Sequence, residues 1–161
     1  MTLRIIATGG TLDKHYHALA GELTFAETHL PQMLTQARVT VPYIIEPLML
    51  LDSLHMQDAD RKKVLAACQL AIESHIVITH GTDTMPETAQ VLGAAKLNKT
   101  IVLTGAMIPF EMKDSDALFN LGFACAAAQT LPQGVYVAMN GQVFVWDKVQ
   151  KNKVVGRFEK P

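Results

Sequence analysis

Short β-branched apolar runs alternate with longer segments of helical periodicity along the whole of this 161-residue sequence. Leu3–Thr8 reads as a buried strand, and Glu27–Arg38 as a helix that carries Pro31 in its early part. Val41–Leu51 is a second strand region, whose regularity Pro42 and Pro47 limit because proline cannot donate to a ladder. Asp58–Glu73 repeats apolar positions at helical spacing: Val64, Leu65, Cys68 and Ile72 share one face, while Arg61, Lys62, Gln69 and Glu73 lie elsewhere. Ile76–Thr79 is a third strand. Thr84-Met85-Pro86-Glu87 has the form of a capping box, with Thr84 capping and Glu87 reaching back, and it predicts a helix running to Lys96. Thr100–Thr104 gives a fourth strand and Asp116–Gln129 an alanine-rich helix. Gly134–Met139 and Gln142–Trp146 flank Asn140-Gly141, the strongest short-range hairpin signal.

Strand, helix, strand at this rhythm predicts right-handed crossovers and an α/β fold in three layers. The sheet is mostly parallel with helices on both faces, and the C-terminal hairpin adds an antiparallel edge. No internal repeat, low-complexity stretch or linker interrupts the pattern, so residues 1–161 are expected to form one domain with no second domain behind it. The polar stretch Asp13–Glu22, with Gly21 near its end, is the segment best suited to be a mobile lid.

Composition narrows the function classes. Hydrophobic residues at 49% and charged residues at 18% argue against disorder. A net charge of −1 gives no reason to expect nucleic acid or an anionic membrane as a partner. No apolar run approaches the roughly 18 residues of a membrane helix. The amino terminus enters Leu3-Arg4-Ile5-Ile6 directly, without a basic segment and signal core, so a cytoplasmic location is expected. Cys68 and Cys125 lie among alanines in helical segments and read as packing thiols.

The chemistry collects after two strands. Ala7-Thr8-Gly9-Gly10-Thr11-Leu12 follows the first, and Thr79-His80-Gly81-Thr82-Asp83-Thr84-Met85 follows the third. Open α/β sheets bind small ligands at the carboxyl ends of their strands, and both turns place a threonine there. Gly9-Gly10 lets backbone N–H groups approach a ligand closely. Thr11 is a candidate nucleophile, which needs a proton acceptor, donors for an oxyanion and exclusion of water. The helix opening at Thr84 points its positive end at Thr82-Asp83, which favours a bound carboxylate, and Asp83 is placed to receive an ammonium group. A zwitterionic amino acid would find both charges answered.

These two segments, with Leu103-Thr104-Gly105-Ala106-Met107 and the stretch from Asp114 to Leu121, resemble in order and spacing the bacterial-type L-asparaginases. The resemblance runs through essentially the whole chain. It implies the flavodoxin-like, or Rossmann-like, fold of that family's amino-terminal domain, and amide hydrolysis through a threonine acyl-enzyme that releases ammonia. Position by position, it implies that Thr11 is the primary nucleophile and Thr82 the second catalytic threonine, with Asp83 and Lys151 as its partners. It also implies that Ser53, in Asp52-Ser53-Leu54-His55-Met56, binds the substrate α-carboxylate beside Asp52. Gly10 and Gly81 line the substrate, and the Ala106 carbonyl holds the leaving amide nitrogen. Tyr16 is the only tyrosine in the lid and takes the place of the family's lid tyrosine, closer to Thr11 than is usual. Two further departures are His55, where an aspartate is common, and Ile108, in place of a polar residue. Members of the family normally also carry a second domain of similar size.

His15 and His17 alternate in the lid without an evident third ligand, so no metal is expected; nor is a cofactor. His80 reads as a structural hydrogen-bonding residue, and Met49, Met56 and Met107 as packing. The substrate class is a small amino acid: L-asparagine leads, with glutamine or a peptide-borne amide as the nearest alternative. A non-catalytic amino-acid-binding module and the amide-hydrolysing part of an amidotransferase are further readings. Because a site at an open sheet edge needs cover from water, a homo-oligomer of at least two copies is expected, with the apolar stretch from Leu118 to Ala128 as a possible contact surface.

Overall fold

Strict alternation within the strand runs sets the architecture. A computed structural model describes residues 1–161. Its strands are Leu3–Gly9 (β1), Lys14–His17 (β2), Glu22–Phe25 (β3), Tyr43–Leu51 (β4), His75–Thr79 (β5), Thr100–Thr104 (β6), Gly134–Met139 (β7), Gln142–Val145 (β8), Gln150–Asn152 (β9) and Arg157–Glu159 (β10). The helices are Leu30–Gln36 (α1), Asp58–Leu70 (α2), Met85–Ala94 (α3) and Ala117–Thr130 (α4). Six strands form the main sheet in the order β4-β1-β5-β6-β7-β8. All neighbours are parallel except β7 and β8, the antiparallel edge hairpin around Asn140-Gly141.

Period-two alternation sends Ile6, Ile76, Ile78, Ile101 and Leu103 to one face, where α2 and α3 cover them with Val64, Cys68, Met85, Ala89 and Leu92. Ile5, Ala7, Val77 and Val102 go to the other, under Leu34 of α1 and Leu121, Ala124 and Ala128 of α4. The three layers and the parallel sheet are those that the sequence predicts. Cys68 and Cys125 are free and buried in these layers. Burial pushes their thiols up to about 12 and about 11, so both stay protonated packing groups.

Several boundaries and assignments differ from expectation. The first helix is shorter than Glu27–Arg38. Asp13 Oδ1 accepts both the Thr28 hydroxyl at 3.0 Å and the His29 N–H at 2.9 Å, which ties the approach to the Thr11–Asp13 turn, and the helix opens only at Leu30. Pro31 then falls in the first turn, where its missing N–H costs nothing. The second helix stops at Leu70, and an extended Ala71 turns the chain out, leaving Ile72 92% exposed instead of on the buried face. Arg61 and Glu73 move the other way, into burial: Arg61 Nη1 donates to the Met56 carbonyl at 3.3 Å, and Glu73 meets Arg4 at 2.8 Å. The capping box at Thr84–Glu87 does not form, because the Thr84 hydroxyl donates to the Ser53 carbonyl at 2.8 Å. The helix that opens there ends at Ala94, short of Lys96. Asp13–Glu22 is not a loop: its ends pair as the β2–β3 hairpin, with Tyr16 opposite Leu23. The basic run at Lys148–Lys153 holds β9, which pairs with β10 in a second small sheet and buries Val149 and Phe158 in the core.

Two helical glycines separate propensity from packing. A Cβ on Gly122 of α4 meets nothing, whereas on Gly93 of α3 it would fall on the Trp146 ring. Urea unfolding should therefore show Gly122→Ala stabilised by about 0.5–1 kcal/mol. Gly93→Ala should instead be destabilised by about 1–3 kcal/mol through overpacking, although helix propensity alone predicts a gain.

Candidate active site

Three turns converge at the carboxyl edge of the sheet, and glycine is what lets them touch. Gly10, after β1, has φ 80°, and a Cβ there would fall on the Gly81 Cα and N. A Cβ on Gly81, after β5, would in turn strike Ser53 Oγ, in the turn after β4. The Thr11 and Thr82 segments thus pack backbone against backbone, with the Ser53 side chain closed against Gly81, contacts that any side chain at either glycine would wedge apart. Ser53 is buried; its Oγ accepts the Thr84 N–H at 3.4 Å, and its carbonyl accepts the Thr84 hydroxyl. Thr11 opens a single 3-10 turn, Thr11–Asp13, and is half-buried.

Lys151 reaches this edge from β9. Its Nζ donates to Thr82 Oγ1 and to Asp83 Oδ1, each at 2.7 Å, with only 12% of the side chain exposed. Thr82 is buried. The cation beside Asp83 is therefore supplied by the chain itself, where the turn taken alone suggested a substrate ammonium. An amine fixed between a hydroxyl and a carboxylate is equipped to exchange a proton with that hydroxyl while the carboxylate fixes its position.

The other proposed positions are placed as follows. Asp52 pairs with Lys14 at 2.7 Å and accepts the Leu54 N–H at 3.0 Å. Partial burial alone would raise the Asp52 carboxyl, but the Lys14 hydrogen bond and charge, with the Leu54 N–H, hold it below its ordinary value. Ala106 is buried in the turn after β6. No hydrogen bond ties the Tyr16 hydroxyl to the threonines or to any other protein group: the residue is 57% exposed, and its backbone N–H donates to Glu111. Lys14 latches the same hairpin to Asp52, at the base of the Ser53 turn.

Sequence reading missed the residues that shape the Ala106 turn. Asp116 accepts the Met107 and Ile108 N–H groups at 3.0 Å each and the Asn120 and Asn140 amides at 2.9 and 3.0 Å. Asn120 donates to the Gly105 carbonyl at 2.9 Å and accepts the Asn140 N–H at 3.0 Å. The available signal was Asn120 itself, a fully buried amide in an otherwise apolar helix, since such a group must be bonded to something.

His80 is buried at the end of β5. Its Nδ1–H donates to the Gly81 carbonyl at 2.7 Å, which leaves Nε2 to accept the Thr88 hydroxyl at 2.7 Å. Burial pushes the ring down to about 4, so it remains neutral and braces the Thr82 turn. Its expected structural role agrees with these bonds.

Paired glycine–threonine turns and a mostly buried lysine thus meet at the carboxyl edge of a parallel α/β sheet. The chain belongs to the asparaginase family: the family description "Asparaginase, N-terminal" matches residues 2–157. It is 35% identical over 156 residues to a probable periplasmic L-asparaginase of Haemophilus influenzae, covering 88% of this chain and 43% of that one. To the L-asparaginase of Thermococcus kodakarensis it is 30% identical over 161 residues, covering 97% and 49%. The solved structure of that thermostable enzyme superimposes with a TM-score of 0.89 over 99% of this chain and 51% of its own. The chain spans about half the length of the curated relatives it matches.

The neutral, buried His80 carries a pH consequence. Between the unfolded value of 6.5 and about 4, the unfolded chain binds a proton there that the folded chain does not, so stability falls as pH falls through that window. The loss approaches about 3 kcal/mol at the acid end. Asp13, whose carboxyl burial raises, works in the opposite direction and offsets part of it. Urea midpoints measured across this range should fall more steeply for the wild type than for His80→Gln.

Proposed function

We propose that this chain hydrolyses the side-chain amide of L-asparagine to L-aspartate and ammonia through an acyl-threonine intermediate. The observation that carries the proposal is the Lys151 amine, 2.7 Å from both the Thr82 hydroxyl and the Asp83 carboxylate, beside the Gly10–Gly81 contact. Once Lys151 has released one proton to solvent, Thr11 Oγ attacks the amide carbon, and its proton passes through Thr82 to the lysine amine. The tetrahedral intermediate expels ammonia as the C–N bond breaks and the proton returns to the departing nitrogen. Water then attacks the ester carbon, releases aspartate and restores the Thr11 hydroxyl. Asp83 keeps the amine in place throughout. Ser53, with Asp52 beside it, receives the α-carboxylate end of the substrate, Gly10 and Gly81 admit it close to the backbone, and the Ala106 carbonyl accepts the leaving amide. Tyr16 joins the site only when the β2–β3 hairpin moves further over it. No cofactor enters the scheme.

Residues 1–161 act here as one asparaginase-type amino-terminal domain. A cytoplasmic location fits the two buried, unpaired thiols, and no helix is long and apolar enough to cross a membrane. Glutamine is the nearest alternative substrate, since one methylene is worth only about 1–3 kcal/mol of discrimination. Comparing kcat/KM for the two amino acids decides between them.

A coupled ammonia assay on the purified chain should show turnover of L-asparagine. Thr11→Ala should lower kcat by about a thousandfold or more while leaving aspartate binding in calorimetry nearly intact. Lys151→Met should lower kcat more than it changes KM, because the amine moves a proton and does not anchor the substrate. Turnover absent from the wild type, or unchanged in Thr11→Ala, would refute the reading.

The open edge also calls for a partner copy. Leu121, Ala124 and Ala128 of α4 face the chain's own sheet, but Phe119 stands exposed and stacks on Phe123, 6.2 Å between ring centres. We propose a homo-oligomer of at least two copies that covers the site. Sedimentation velocity over a dilution series should show dissociation together with loss of specific activity, whereas a monomer of constant specific activity would contradict it.

A further inference from the structure

The β2–β3 hairpin carries a second constellation that the amide chemistry does not use. His15 of β2, His29 at the start of α1 and Glu111 in the turn after β6 each offer one ligand atom, and these atoms lie within 4.8 Å of one another. They line a cavity of about 460 Å³ together with Glu27, Thr28 and Gln32. We infer that His15, His29 and Glu111 bind a divalent transition-metal cation of the zinc class, which clamps the hairpin to the body of the domain. The inference stands independently of the reaction proposed above.

Three features favour a cation over a chance meeting of polar groups. His29 is 6% exposed, yet its Nε2 is buried with no hydrogen-bond partner, a costly state for an imidazole nitrogen unless something binds the ring. His15 Nε2 sits 2.9 Å from the Glu27 carbonyl, which can only accept, so that nitrogen carries a proton and in the neutral ring Nδ1 has the lone pair a cation would take. A backbone carbonyl bonded to the second ring nitrogen is the support that metal-bound histidines usually have. Third, His15 Nδ1 lies 3.4 Å from Glu111 Oε2. That is about the edge of a tetrahedron whose centre is bonded at roughly 2.0–2.1 Å to each corner, the bond length of zinc to imidazole and carboxylate. Glu111 spends its other oxygen on the Tyr16 N–H, so Oε2 remains available.

Two imidazoles and one carboxylate leave a fourth position for water, and this donor set suits zinc or its first-row neighbours better than calcium or magnesium. His17, the other histidine of the strand, is not part of the group: its Nδ1 accepts the Ala20 N–H within the hairpin turn. The alternation of His15 and His17 therefore misleads. The cation would hold three separated segments together, and one of them is the β2 strand that carries Tyr16.

The test uses untagged, chelator-stripped full chain titrated with zinc chloride against a chromophoric chelator, with hydrogen exchange of residues 14–25 read in parallel. One zinc ion should bind per chain and slow exchange in the hairpin. Glu111→Gln and His29→Gln should each weaken binding by about tenfold or more, and His17→Gln should leave it unchanged. Glu111 is exposed, so Glu111→Gln decides the matter even if the buried His29→Gln fails to fold. Absence of saturable zinc binding, binding that survives Glu111→Gln, or binding that follows His17→Gln would overturn the assignment.

Discussion

Lys151 lies between Thr82 and Asp83 at 2.7 Å from each, and most of what is distinctive in this structure serves that placement. An ammonium withdrawn from water is costly unless a carboxylate and other polar groups receive it. Asp83 and the Thr82 hydroxyl do so here. The lysine comes from β9, a three-residue strand that would have no reason to stay in position alone. Pairing with β10 and burial of Val149 and Phe158 against the α2–α3 face anchor it. A polar contact at the sheet edge is thus held by apolar packing in the layer beneath.

The same edge depends on the absence of side chains. Gly10 and Gly81 let two turns approach to backbone contact, and Gly81 lets the Ser53 turn close on them. Around this junction the bracing is polar and buried. His80 ties its strand end to Thr88 of α3, Thr84 ties the start of that helix to Ser53, and Asp116 with Asn120 shapes the Ala106 turn. Each brace uses a group whose partners are fully specified, so the threonines and the lysine sit on a frame with few alternative arrangements.

The sheet, its layers and the edge hairpin were legible because alternation and the Asn140-Gly141 turn are local signals. Thr11, Thr82 and Asp83 were legible as candidates through their motifs, and Ser53 and Lys151 only through the family resemblance, Lys151 because within Lys148–Lys153 it looks like one solvated charge among several. What failed was decided at a distance. Thr84 has the sequence of a cap but spends its hydroxyl on Ser53. Ile72 has helical spacing, but the helix ends two residues earlier. The segment around Tyr16 looks like a polar loop because its pairing partner, Glu22–Phe25, is short and has no buried residue. The ligand that completes a group with His15 lies on the far side of the sequence, at Glu111.

In the proposed reaction Thr11 forms the ester while Lys151 manages its proton. Peptide mapping of the chain, acid-quenched during turnover of L-asparagine, tests it most directly. An aspartyl ester on the peptide containing Thr11 is the expected result. An ester on Thr82, or ammonia release with no covalent adduct on either threonine, would contradict it.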